Sequence, residues 1–400
     1  MKAILNAGIC LCLLLSIGEK GESQVFPQKS GSKYTFTFGP LFFAVDTNKG
    51  GRIVSLKYAG HELLYLQSTQ DMNGSTFWPS PQSLWGWPPL PNIDNKTYGG
   101  RIIGNKLLLT SKVDPTLHVR VYKSFALDTT DTTLVINYYL KNEGSAAVSL
   151  APWEITRVPI EGPIVFSLED GQVTGNLAPQ TVELNSHIWY DQQNTQGSNS
   201  KFFANGRGWL AFINANNKLV FLKKFSDIIS TSSAPSEAEI EVYTAGDRSY
   251  SELENQGQYV AIAPKDSVVY AVRWAVRALP ANISITIGDT TLTNFIDSLA
   301  SHLRLADTLA ISTANQIISL SYRNIAYQNG RVQLLNFNPK DFPLQLIILD
   351  INGKIVWQQH IATPVTNFPT PTLPQGTYLL NIQDDKHRQI STKVVILQSF

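Results

Sequence analysis

A chain of 400 residues is long enough for two or three domains, each with a full hydrophobic core. Its 32 Lys and Arg against 31 Asp and Glu leave a net charge of +1, so it has neither the basic footprint that nucleic acid or anionic lipid requires nor an acidic tail. Charged residues are only 16% and aromatics 10%, against about 25% charged in an average chain; that balance excludes disorder and fits a β-rich extracellular protein recognising neutral, polar ligands such as sugars.

In chain order, Met1 to Ser23 reads as a signal peptide: Lys2 is the charged start, Ala3 to Gly18 the apolar run, and Gly21 and Ser23 the small residues before a cut at Gln24. The run is short for a membrane span, and no stable membrane insertion is expected. The two cysteines, Cys10 and Cys12, lie inside it and follow Ile9 and Leu11 rather than the small residues of a lipid-attachment site. The exported chain would then hold no thiol for a disulfide, a nucleophile or a metal.

From there the repeated signal is a short alternating or β-branched run closed by Gly, Asn, Asp or Pro, the pattern of an all-β fold made mostly of antiparallel hairpins. Strands are predicted at Tyr34 to Phe38, Leu41 to Asp46, Arg52 to Tyr58, Arg101 to Ser111, Val119 to Leu127, Thr133 to Lys141, Leu210 to Ile213, Leu219 to Phe225, Ala238 to Tyr243 and Val268 to Arg277. Turn residues at Asn48-Lys49-Gly50-Gly51, Asp128 to Asp131 and Asn142-Glu143-Gly144 separate pairs of these runs. One helix is predicted over Asn294 to Leu305, from the helical spacing of Phe295, Ile296, Leu299 and Leu303. After a linker at 310–330, five strands in 331–400 predict a small immunoglobulin-like β-sandwich, so the domains read 1–23 signal peptide, 24–309 large β domain, and 331–400 small β domain.

Three blocks of the small domain, Leu346 to Val356 with its Asn352-Gly353 turn, Leu373 to Leu380, and Lys393 to Ile396, resemble the C-terminal sorting domain of the bacterial type IX secretion system. That resemblance implies export through the periplasm of a Bacteroidetes-type cell, release or display at the surface, the secretion machinery as a partner, and usually removal of this domain. In the large domain, Gly50 to Leu64, Asn137 to Gly144, and Glu252 to Gly257 followed by Ala263 to Ser267 and Arg273-Trp274 resemble galactose-mutarotase-like proteins of the aldose 1-epimerase superfamily. The likeness is to a bacterial branch rather than to an epimerase proper, and it implies a large antiparallel β-supersandwich with a carbohydrate ligand.

Mutarotation moves a proton between the anomeric hydroxyl and the ring oxygen and needs a base and an acid on opposite sides of the sugar. The resemblance places the base at Glu252, with Glu254 as runner-up on the same strand face. The family's acid is a histidine before a proline, but the matching stretch here runs Ala151-Pro152-Trp153-Glu154-Ile155-Thr156-Arg157. The histidine is missing, which leaves Glu154 or His187 as substitutes and lowers the expectation of turnover.

Three tryptophans fall within Phe77 to Pro89, where the prolines predict a rigid loop rather than a central strand or a helix. Trp78, Trp85 and Trp87 would stack on a pyranose, with Gln82 hydrogen-bonding to it, or else fold back as a cover on one sheet. Arg101 opens a strand and would bind sugar hydroxyls, pair with Glu252, or lie free on the surface. Trp153, Glu154 and Arg157 form either a sugar platform with an acid and a base or a buried ion pair. His118 reads as an ordinary strand histidine. Trp189 to Lys201 reads as a polar, mobile loop, either a lid or an exposed connection.

No His-Glu-x-x-His, Gly-x-Ser-x-Gly, phosphate loop or dinucleotide fingerprint occurs, and neither a cofactor nor a metal is expected. A glycosidase built on Glu154 and Glu252 turns on their separation in space. The leading expectation is a secreted carbohydrate-binding protein, weakly or not catalytic; the alternatives are a carbohydrate-active enzyme using Glu252 and a surface structural protein without a ligand pocket.

Overall fold

The computed structural model describes residues 25–67, 71–193 and 199–305, and beyond these the segments 311–313, 316–318, 325–328, 331–334, 343–350, 354–363, 367–369, 373–374, 376–384 and 389–396. The predicted signal peptide and the Asn352-Gly353 turn lie outside the described residues. Twenty-one strands of the large domain join into one continuous antiparallel sheet folded into two layers.

The first layer runs, neighbour to neighbour, through Gln28–Ser30, Lys33–Phe38, Leu41–Asp46, Arg52–Tyr58, Ser75–Ser80, Val148–Pro159, Tyr250–Gln256, Ile240–Thr244 and Ser200–Gly206. The second runs through Gly99–Ile103, Lys106–Thr110, Val119–Asp128, Thr133–Asn142, Ser267–Ala278, Leu219–Phe225 and Trp209–Asn214. The strand Ile164–Thr174 passes from one to the other: its start pairs with Trp209–Asn214 and His187–Tyr190, its end with Ser200–Gly206. This is the predicted all-β supersandwich.

Between the layers lies a single apolar core that includes Phe36, Phe43, Phe77, Phe125, Tyr138, Phe221 and Trp274; Phe77 of the first layer stacks on Tyr138 of the second at 4.5 Å. Burial of this much apolar surface is the main force holding the layers together. The turn at Gly50 is dictated by crowding, because it has φ +66° and a Cβ there would stand 1.9 Å from the Asp94 carbonyl oxygen.

Two predicted elements differ in detail. Arg101 to Ser111 is a hairpin rather than one strand, Gly99–Ile103 and Lys106–Thr110 turning at Gly104 with φ +56°. The helix is Thr290–His302, four residues earlier than predicted at its start, because Asp289 caps it by accepting from the Leu292 N–H at 2.8 Å. Leu292, Ile296 and Ala300, spaced four apart, form its buried stripe.

The tryptophan-proline stretch is only partly a loop. Ser75–Ser80 is a strand paired along its length with Val148–Pro159, and Pro79 faces Pro152 across the ladder. Its other side pairs only at Ser75, so Pro79 sits on an edge where the missing N–H interrupts no ladder.

In the small domain Leu344–Asp350, Ile355–Ile361, Gly376–Asp384 and Gln389–Ile396 form a four-stranded antiparallel sheet in which Leu344–Asp350 and Gly376–Asp384 are central. Leu346, Ile348 and Leu380 are buried in it, the alternation expected of a half-buried strand.

Candidate functional site

Side chains of directly opposed residues share a sheet face. The registers Trp153 with Trp78, Arg157 with Glu252, Ile155 with Glu254, Glu254 with Glu241, Glu252 with Tyr243, and Tyr243 with Lys201 therefore put all of these on the outer face of the first layer. Of these, Trp78, Trp153, Lys201, Tyr243, Glu252 and Glu254 floor a cleft of about 950 Å³, which Tyr65, Met72, Gln82, Trp87, Asp247 and Tyr250 also line. No histidine lines it.

The floor holds two charge clusters. Arg157 Nη2 lies 2.8 Å from Glu252 Oε1 with both side chains largely buried, and the guanidinium also lies over the Trp78 and Tyr250 rings, 5.8 and 5.9 Å from their centroids. In the second cluster Lys201 bridges Glu241 and Glu254, 2.9 Å from the latter, while the Trp153 indole N–H donates to Glu254 Oε2 at 2.9 Å. Burial pushes the Glu254 carboxyl up to about 7 against the pull of Lys201. Burial likewise drives Glu241 well above the usual carboxylate range, again opposed by Lys201. For Lys201, burial opposes the charge, but Glu254 and Glu241 outweigh it and raise its pKa.

The aromatic walls differ in exposure. Trp87 is 59% exposed on the rim, Trp78 and Trp153 are buried in the wall at 5% and 1%, and Trp78 meets both edge-on at 6.2 and 5.4 Å. Tyr65 stacks on Tyr250 at 5.1 Å.

Of the residues proposed from sequence, Glu252, Glu254, Trp78, Gln82, Trp87 and Trp153 line the cleft, and Arg157 lies beneath it. Three do not reach it. Glu154 points the opposite way, since alternation sends it to the core between Trp153 and Ile155; there it meets Lys223 Nζ at 3.0 Å and accepts from Tyr138 Oη at 2.6 Å and Trp274 Nε1 at 3.2 Å. It cannot pair with Glu252 across a sugar. Arg101 is exposed on Gly99–Ile103, at the edge of the second layer, and Arg157 instead is the partner of Glu252. Trp85 turns back to donate its indole N–H to the Pro79 carbonyl at 2.7 Å and packs against Trp78.

His187 is also remote from the cleft, buried with Ser167 and Asp297 at 3.1 and 3.0 Å. Sequence reading missed Lys201, Glu241, Tyr243 and Tyr250. The signal was there in the parity of Glu241-Tyr243 and Tyr250-Glu252-Glu254 on two strands of one hairpin.

Among the described residues no group of three or more His, Cys, Asp or Glu is placed to hold a metal, and no helix is long and apolar enough to cross a membrane.

Several solved structures are similar to this chain: a putative aldose 1-epimerase from Escherichia coli K12 (14% identity, 65% of this chain and 100% of that one, TM-score 0.43), a galactose mutarotase-like protein from Clostridium acetobutylicum (12%, 64% and 99%, 0.43), and another from Lactobacillus casei ATCC 334 (9%, 61% and 100%, 0.46). No curated protein matches the chain. Residues 328–397 match the family described as secretion system C-terminal sorting domain; the domain implies contact with the secretion machinery, and the protein is a secreted or cell-surface one.

Proposed function

We propose that the large domain binds carbohydrate in the cleft floored by Trp153, Glu252 and Glu254, and that it turns its ligand over slowly or not at all. The observation that carries this reading is the composition of the cleft: six aromatic side chains beside carboxylate, amine and amide groups in one cavity of about 950 Å³. Indole and phenol rings cover the apolar faces of a pyranose, and the polar groups take its hydroxyls. Weak turnover follows from Glu252 being engaged by Arg157 at 2.8 Å and from the lack of a histidine opposite it. A glycan array probed with the full chain tests the reading, and the absence of any glycan signal would end it.

One observation favours the enzyme alternative. Glu254, with its carboxyl pushed up to about 7, has the proton affinity of a general acid or base at neutral pH. If it acts, optical rotation of fresh α-glucose or α-galactose will relax rapidly with the protein, and Glu254→Gln will abolish the acceleration.

A further inference from the structure

Beside the main cleft, and sharing Met72, Trp78 and Trp87 with it, lies a second cavity of about 250 Å³ whose remaining walls include Arg52, Arg157 and Asn95. Its charges cancel: Arg52 Nη2 is held by both Asp94 oxygens at 3.1 Å, and Arg157 is paired with Glu252. The two guanidiniums that line it nevertheless keep buried donors unused. Arg157 is 1% exposed, and its Nε and Nη1, together with Arg52 Nε, have no hydrogen-bond partner among the described residues. Such donors in a buried setting are costly to leave unmet.

Arg157 Nη2 meets the Met72 sulfur at 3.4 Å besides the Glu252 carboxylate, and a thioether is a weak acceptor on a flexible side chain. A ligand oxygen displacing it would gain a stronger bond. Trp78, Trp87, Pro88 and Pro89 make one side of the wall apolar, and the Asp71 and Asp94 carboxylates, held by Lys49 and Arg52, complete it.

We infer that this side cavity receives the acetamido group of an N-acetylated amino sugar, its carbonyl oxygen accepting from Arg157 and its methyl packing on the tryptophan and proline wall. A small dipolar group with an acceptor and a methyl suits a charge-balanced, donor-bearing, apolar-rimmed cavity. A carboxylate would bring an uncompensated charge beside Asp71 and Asp94, and an ammonium would face guanidinium donors while both of those carboxylates are already held by Lys49 and Arg52. The inference rests on the sugar-binding reading of the main cleft and adds the ligand's chemical class.

The test is tryptophan fluorescence titration of the full chain with four monosaccharides, namely N-acetylglucosamine, glucose, glucosamine and glucuronate, and with N-acetylgalactosamine as a stereochemical control. At least one N-acetyl sugar should bind ten or more times as tightly as glucose. Asn95 is exposed and lines only the side cavity, so Asn95→Phe fills it without touching the main cleft. This variant should bring the N-acetyl sugars down to the glucose level and leave glucose binding unchanged. Equal binding of all the sugars, or tighter binding of glucosamine or glucuronate, would overturn the acetamido assignment while the cleft reading stands. Binding of none of them would overturn both.

Discussion

Glu154 Oε2 and Lys223 Nζ lie 3.0 Å apart with neither side chain exposed, one residue in sequence from the Trp153 that lines the cleft. Lys223 comes from the second layer and also donates to Thr156 Oγ1 and the Leu253 carbonyl, each at 2.9 Å. The pair therefore ties the layers together directly beneath the cleft floor. Burial lowers the Lys223 pKa and Glu154 opposes that shift, so the ammonium depends on its partner.

Removing one member of a buried pair leaves an uncompensated charge, which costs about 3 to 5 kcal/mol. Glu154→Ala should lose stability in that range on urea unfolding at neutral pH. Ligand affinity of the folded fraction should not change. A variant with native stability but altered sugar binding would return Glu154 to the site.

The same residue shows where the sequence was legible. The strands and their alternation were readable because each hydrophobic run is local, whereas Glu252 and Glu254 were expected from the family resemblance. Trp153, Glu154 and Arg157 read as one cluster, but residues one apart in a strand face opposite sides, and Glu154 lies in a buried ion pair with Lys223 on the core side. Arg101 failed for a different reason, since nothing local tells which layer an edge hairpin joins. Lys201 and Tyr243 stayed hidden because their partners Glu254 and Glu252 are about fifty and nine residues away in the chain, and only register brings them together.

Three buried carboxyls with raised pKa values, Glu254, Glu239 and Glu241, shape the stability profile up to neutral pH. Burial raises Glu254 to about 7, and burial followed by the nearby Asp227 raises Glu239 to about 8, both from 4.5. The native state then holds protons that the unfolded chain has released, so their contribution is full below about 4.5 and is lost as pH rises through 7 to 8. Urea stability should decline over that window, by at most ~3 kcal/mol for Glu254 alone. Glu254→Gln should remove its share of the slope; an unchanged profile would show that Glu254 titrates normally.

Lys123 predicts the opposite trend at higher pH. It is buried in the core, donating to the Gly50 and Gly51 carbonyls at 2.7 and 3.2 Å, and burial pushes its pKa down from 10.5 to about 7. Between these values the unfolded chain binds the extra proton, so the contribution is present above 10.5 and is lost as pH falls through about 7. Stability attributable to this group should rise from pH 7 to 10. Lys123→Met should flatten that rise when followed by urea titration at each pH.

Export leaves a mass signature. The sorting domain at 328–397 and the predicted signal peptide lead us to expect that protein recovered outside its native cells begins near Gln24 and ends before about Arg331. Intact mass measurement decides this. A full 400-residue chain recovered from the medium would overturn both processing steps.

Trp87 and Trp153 separate binding from folding. Trp87 is 59% exposed and Trp153 is 1% exposed, though both line the cleft. Trp87→Ala removes little buried surface, so the melting temperature should hardly move. If the ring stacks on a sugar, affinity should fall by roughly 1 to 3 kcal/mol, in proportion to the apolar area a bound glycan covers. Trp153→Ala opens a hole beside Trp78, Ile155 and the Glu254 carboxylate, whose indole donor it also removes. That change should cost about 3 to 5 kcal/mol of stability. Conversely, iodide should quench the Trp87 fluorescence in the free protein and lose access to it when glycan is bound. A Trp87→Ala variant that binds its best array glycan as tightly as the parent would exclude the rim tryptophan as a stacking platform and leave the half-buried Tyr65, Tyr243 and Tyr250 as the rings able to serve.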